Sequence, residues 1–127
     1  MQHIAILRQP FFNMVLSGEK IIESRWSMNK VAPYGKVQAG DTLLLKETGK
    51  PVTATAKAEK VECLELTPEI VDQIRIKYGQ AIGTDKFEDW EGTRHKRYCT
   101  LIWLKDLKKI DPMEVPRSNG AGWIIVK

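Results

Sequence analysis

Histidine and cysteine are almost missing from this sequence, with two of each in 127 residues. His3, His95, Cys63 and Cys99 do not fall at the short spacings of metal-ligand sets, so no metal site is expected. With only two cysteines and no visible export signal, a disulfide framework is excluded and both thiols are expected to be reduced. No apolar run approaches the roughly 20 residues that a membrane-spanning helix needs. The opening MQHIAILRQP lacks the long apolar stretch and cleavage site of a secretory signal, so a cytoplasmic protein with no membrane partner is expected. A glycine-rich phosphate loop, a Ser-His-Asp set and a nucleophile elbow are also absent, which leaves no sign of a cofactor.

What is present suffices for one domain over residues 1–127. Hydrophobic residues make up 43% of the chain, enough for a single core without staples, and a charged fraction of 28% is ordinary for a folded protein. The net charge of +4 conceals a pattern. Residues 1–60 hold nine Lys/Arg against five acids, residues 61–92 three against eight, and residues 93–127 eight against three. An acidic middle thus separates two basic ends. If those ends meet, they form a face attractive to phosphate; otherwise they are a mixed solvated surface.

Along the chain, HIAIL reads as a short strand that Gln9-Pro10 interrupts. Phe11, Met14 and Val15 fall at helical spacing, Pro10 suits a first helical position, and Gly18 suits a left-handed cap, which predicts a helix over 10–17. IIESRW then leaves as a strand, with Glu23 and Arg25 on one face. Residues 27–39 read as a loop, TLLLKE as a strand after the Gly40-Asp41 turn, and VTATAKAEKVECLEL as a half-buried strand. Thr67-Pro68-Glu69 starts a second helix with a stripe of Ile70, Val71, Ile74 and Tyr78, and Gly79 is read as its end. Residues 80–96 look irregular, with Phe87 and Trp90 as their large apolar groups. YCTLIWLK over 98–105 is a dense strand, DPMEVPRSNGAG a loop, and WIIVK a closing strand. About six strands and two or more helices, not in regular alternation, predict an α+β fold: a small, mostly antiparallel barrel.

The candidate chemistry sits in Gly18-Glu19-Lys20-Ile21-Ile22-Glu23-Ser24-Arg25. Lys20, just past a helix end, can hold a phosphate or carbonyl oxygen, or act as a base if buried; equally, it can simply complement the helix dipole. Glu23 and Arg25 can be a structural ion pair, or can receive an exocyclic amine and grip a phosphate. Trp26 offers a stacking face or a core contact. Trp103 belongs in the core, and Trp123 can line a cleft. Arg94, Lys96 and Arg97 form the strongest basic cluster, read as phosphate contacts or as an edge-strand guard.

Those eight residues match GxKxxExR, and the chain resembles the ASCH family, whose members are small PUA-like β-barrels. The preceding helix, the GDTLLL strand start and a final strand opening with Trp are similar to that family as well. The resemblance implies a cleft lined by the motif charges, and RNA or a nucleotide-like small molecule as ligand. It also implies, as alternatives, hydrolysis of a modified nucleoside or of RNA, with Lys20 and Glu23 as the catalytic pair. The acetylcytidine amidohydrolases of this family carry Thr where this chain has Glu23, and use it with the Lys and a distant Glu. Glu69, Glu88 and Glu91 are the candidates here for that distant carboxylate. A third reading is a protein-interaction domain in which the motif is structural.

Overall fold

The computed structural model describes residues 1–83, 90–116 and 120–127. Phe87 and Glu88 lie outside the described residues. The elements run β1 (Gln2–Leu7), α1 (Phe11–Ser17), β2 (Ile22–Ser27), β3 (Thr42–Glu47), β4 (Val52–Glu65), α2 (Pro68–Ile82), α3 (Trp90–Thr93), β5 (Tyr98–Met113) and β6 (Trp123–Val126). The six strands form one sheet in the order β2-β5-β4-β3-β1-β6, curled as a half-barrel. Among the described residues, β1 and β3 pair in parallel and the other four pairings are antiparallel. The α+β, mostly antiparallel expectation holds.

Local signals explain most boundaries. Gly18 sits at φ 83° and its N–H donates to the Val15 carbonyl, so α1 stops where the left-handed residue falls. Pro10 caps α1 from outside rather than occupying its first turn. The Thr67 side chain accepts from the Ile70 N–H at 3.2 Å and Pro68 opens α2, as the sequence suggests.

Two boundaries differ from expectation. Gly79 does not end α2, which continues to Ile82 and is capped by Gly83 at φ 82°. Three more helical residues deliver Ile82 to full burial beside Ile22, Ile74, Cys99 and Leu101. The second difference is β5, which extends to Met113 through KDLKKIDPM. That segment has no alternating pattern because it is largely exposed. Pairing with β4, as far as Val52 opposite Met113, is what makes it a strand.

The main core lies inside the curl. Ala54, Ala56 and Ala58 alternate on the inner face of β4 and leave room for Phe11, Phe12 and Val15 of α1 against Leu43 and Leu45. A second cluster sits between α2 and the outer face of β2 and β5. Among the described residues, no helix is long and apolar enough to cross a membrane.

Candidate functional site

Lys20 is placed by the ends of two helices. Its N–H donates to the Met14 carbonyl of α1, and the next N–H, of Ile21, donates to the Ala81 carbonyl of α2. The side chain is then folded inward and is only 3% exposed. Its Nζ donates to the Ile22 carbonyl at 2.8 Å and to the Ile82 carbonyl at 2.7 Å, and lies 3.4 Å from Glu23 Oε1. A cation at the carboxyl end of α2 also complements the helix dipole. Three acceptors converging on one nitrogen suit an ammonium with its three N–H donors and leave no position for a lone pair.

Glu23 is buried too, at 6% exposure. Its Oε1 accepts from the Ser24 N–H at 2.9 Å and its Oε2 from Arg25 Nη2 at 3.2 Å. Burial pushes the carboxyl's pKa up, but Lys20, Arg25 and the Ser24 N–H outweigh it and hold the group below its ordinary value. Glu23 is therefore an anion between two cations.

Arg25 spans the seam between the two edge strands of the curled sheet. Nη1 donates to the Gly122 carbonyl before β6 and Nη2 to the Ile6 carbonyl of β1, both at 2.9 Å. Beneath it lies the Trp123 ring, 5.3 Å from the guanidinium carbon. Trp123 Nε1 donates to His3 Nδ1 at 3.1 Å, which fixes the His3 proton on Nε2, where it meets Asp41 Oδ2 at 2.8 Å. The Asp41 carboxyl is raised by burial but lowered more by His3, the Gln38 N–H and the amino terminus, so its pKa lies below the ordinary value.

Above this floor opens a cavity of about 410 Å³, within the range of small-molecule sites. Lys20, Glu23, Ser24 and Arg25 line it together with Ile6, Leu7, Arg8, Phe11, Thr48 and residues 120–122. A Cβ on Gly122 would stand 2.9 Å from Arg25 Nη1, so a larger residue there requires the guanidinium to shift. Gly122→Ala is expected to displace the guanidinium and cost about 1–3 kcal/mol through the lost charged hydrogen bond. Urea unfolding of both proteins measures this.

The structure brings Lys20, Glu23 and Arg25 together as the motif suggests, and separates the rest. Trp26 points to the other face of β2, where its Nε1 donates to Ser24 Oγ and its ring meets Trp90 edge-on at 5.9 Å. It does not line the cavity, nor do Arg94, Lys96 or Arg97. Arg94 pairs with Asp72 at 3.1 Å and Glu91 at 3.6 Å, and the Arg97 backbone joins the ends of β2 and β4. Glu69 and Glu91 are also outside the cavity lining, and Glu88 lies outside the described residues. Trp103 is half-buried and packs against the second core cluster, edge-on to Tyr78 at 5.3 Å. Trp123 is buried as the support under Arg25. Arg8, Phe11, Thr48 and the 120–122 segment escaped the sequence reading. They come from distant turns and strand ends, and only the parallel β1–β3 pairing and the β6 return bring them to one place. Among the described residues no cluster of His, Cys, Asp and Glu could hold a metal ion.

The model of the ASCH domain matches residues 6–102 of this chain. Among solved structures, the ASCH protein from Zymomonas mobilis is similar with a TM-score of 0.66 at 18% identity, covering 90% of this chain and 73% of that one. A serine-to-alanine mutant of the same protein gives a TM-score of 0.72 at 16% identity, over 99% of this chain and 88% of that one. At these identities the likeness concerns the fold. No curated protein matches.

Proposed function

The chain belongs to the ASCH domain family, and from that premise and the site geometry we propose that its cavity binds the base of an RNA nucleotide or of a modified nucleoside. The observation that carries this reading is an ionised, buried Glu23 beside Arg25 at the floor of an apolar-walled cavity of about 410 Å³. A carboxylate acceptor next to a guanidinium donor matches the edge of a base that offers an exocyclic amine beside a ring-nitrogen acceptor. Phe11, Ile6 and Leu7 supply apolar wall for the flat ring.

The same geometry favours holding a ligand over turning it over. Lys20 Nζ is already engaged by three acceptors, so it is poorly placed to take a proton. Glu23, with its pKa lowered, is a weak general base at neutral pH. The Ser24 hydroxyl accepts from Trp26 on the far side of β2.

The test is to incubate a short single-stranded RNA containing one acetylated cytidine with the protein and read intact masses, while calorimetry follows nucleoside binding. Binding with an unchanged RNA mass is expected. Loss of the acetyl mass or chain cleavage would replace the binding reading with a hydrolase, and no heat with any nucleoside would remove both.

A further inference from the structure

The outer face of the β4–β5 ladder carries a cationic stripe that the cavity does not use. Lys57 stands directly opposite Lys105, and Lys60 opposite Trp103. The pair between them, Ala58 and Leu104, packs against the main core, so the two outer pairs share the other face. Lys108 follows, opposite Thr55. All four lysines are exposed.

Like charges directly opposite on one sheet face destabilise the pairing, and an anion received between them offsets that repulsion. Among the described residues, no carboxylate pairs with Lys57, Lys105 or Lys108, whereas Lys60 has Glu62 at 3.1 Å. Lys57 instead donates to Thr42 Oγ1 at 2.6 Å. Lys57 and Lys108 line a recess of about 90 Å³ whose other walls include the two hydroxyl residues Thr42 and Thr55. Asp106 is the one carboxylate in that lining and opposes an anion there. At the far end of the stripe Lys60 lies 4.7 Å above the Trp103 ring, which is half-buried and packs on Tyr78. A row of ammonium groups along one sheet face is the pattern that tracks a phosphate backbone.

We infer that this face is a second nucleic-acid surface, which takes the backbone of single-stranded RNA with one phosphate in the Lys57–Lys108 recess. The choice of RNA over another polyanion rests on the nucleotide reading of the cavity. The stripe makes a polymer, rather than a free nucleoside, the ligand of the whole protein.

The test is fluorescence anisotropy with a labelled oligouridine RNA of about 12 nucleotides, titrated between about 50 and 300 mM salt. Wild type is compared with the triple variant Lys57→Gln, Lys105→Gln, Lys108→Gln, with Asp106→Asn, and with Glu23→Gln. At roughly 0.7 per neutralised phosphate, the triple variant, which gives up the phosphate in the recess and the one at Lys105, is expected to lose about 1.4 from the slope of log affinity against log salt. Asp106→Asn is expected to bind more tightly; asparagine tolerates the positive φ of 53° found there. Calorimetric nucleoside binding should be unchanged in the triple variant and weakened in Glu23→Gln. Failure of Glu23→Gln alone to weaken nucleoside binding would count against the cavity and leave the stripe standing. A triple variant with the wild-type slope, an Asp106→Asn protein that binds no tighter, or tighter binding to anionic lipid vesicles than to RNA would overturn the second surface.

Discussion

Lys20→Ala is expected to unfold the protein substantially before it reveals anything about ligand binding. Removing the ammonium leaves the Ile22 and Ile82 carbonyls without their charged donor and Glu23 without one of its two cations. Breaking a buried pair from one side costs about 3–5 kcal/mol. That is a large fraction of the roughly 5–15 kcal/mol that holds a domain together. The damage should be shared with Glu23. In the double variant Lys20→Ala, Glu23→Gln the leftover carboxylate charge is gone, so the combined loss should fall short of the sum of the two single losses by about 0.5–3 kcal/mol. Urea unfolding of the wild type, both single variants and the double variant closes this cycle. Strict additivity would mean that Lys20 and Glu23 do not brace each other. Any loss of binding in Lys20→Ala has meaning only at a temperature where the folded fraction has been measured.

Glu23→Gln is the cleaner probe of the site, and its effect should depend on pH. The amide keeps the shape and can still accept from the Ser24 N–H, but it is neutral and brings its own donor toward Arg25. Losing an ionised acceptor is worth about 1.5–3 kcal/mol, a weakening of roughly tenfold to a hundredfold in affinity for a ligand that donates to it. The sign of the stability effect follows from the direction of the shift. Because the folded carboxyl titrates below its ordinary 4.5, its contribution is complete above that pH and is lost as pH falls through the folded value. Wild type should therefore exceed Glu23→Gln in stability at pH 7, and the gap should close with acidification below about pH 4.5. Unfolding curves at a series of pH values measure it; a gap that widens in acid would show that the carboxyl is raised, not lowered.

The part of this architecture that could be read in the sequence is the part written locally. Gly18 after a helical run, Thr67-Pro68 before one, and the alternation of β4 each act within a few residues, and the structure follows them. The sharing of one strand face by Glu23 and Arg25 was equally legible, because the strand repeat is two. What was not legible depends on distant partners. Nothing near Gly79 says that Ile82 has a buried seat beside β2 and β5, so the local sequence places the helix end too early. The exposed run KDLKKIDPM carries no strand pattern of its own and takes its conformation from β4. The Arg94–Arg97 cluster stands out in the sequence by charge alone, and the fold commits Arg94 to Asp72 from α2. The lysines of the β4–β5 ladder escaped notice because they are scattered over fifty residues, and only the register sets Lys57 against Lys105.

On the proposed reading, Lys20, Glu23 and Arg25 floor a ligand site and do not merely brace a helix–strand junction. An amide and guanidinium NMR titration with cytidine, N-acetylcytidine and adenosine tests it most directly. Saturable shifts of the Ser24 N–H, the Arg25 Nε–H and the Gly122 N–H, absent in Glu23→Gln, are the predicted result. Saturation of none of these three signals by any of the nucleosides, with the folded spectrum otherwise intact, would mean that the charges hold the protein together and the ligand lies elsewhere.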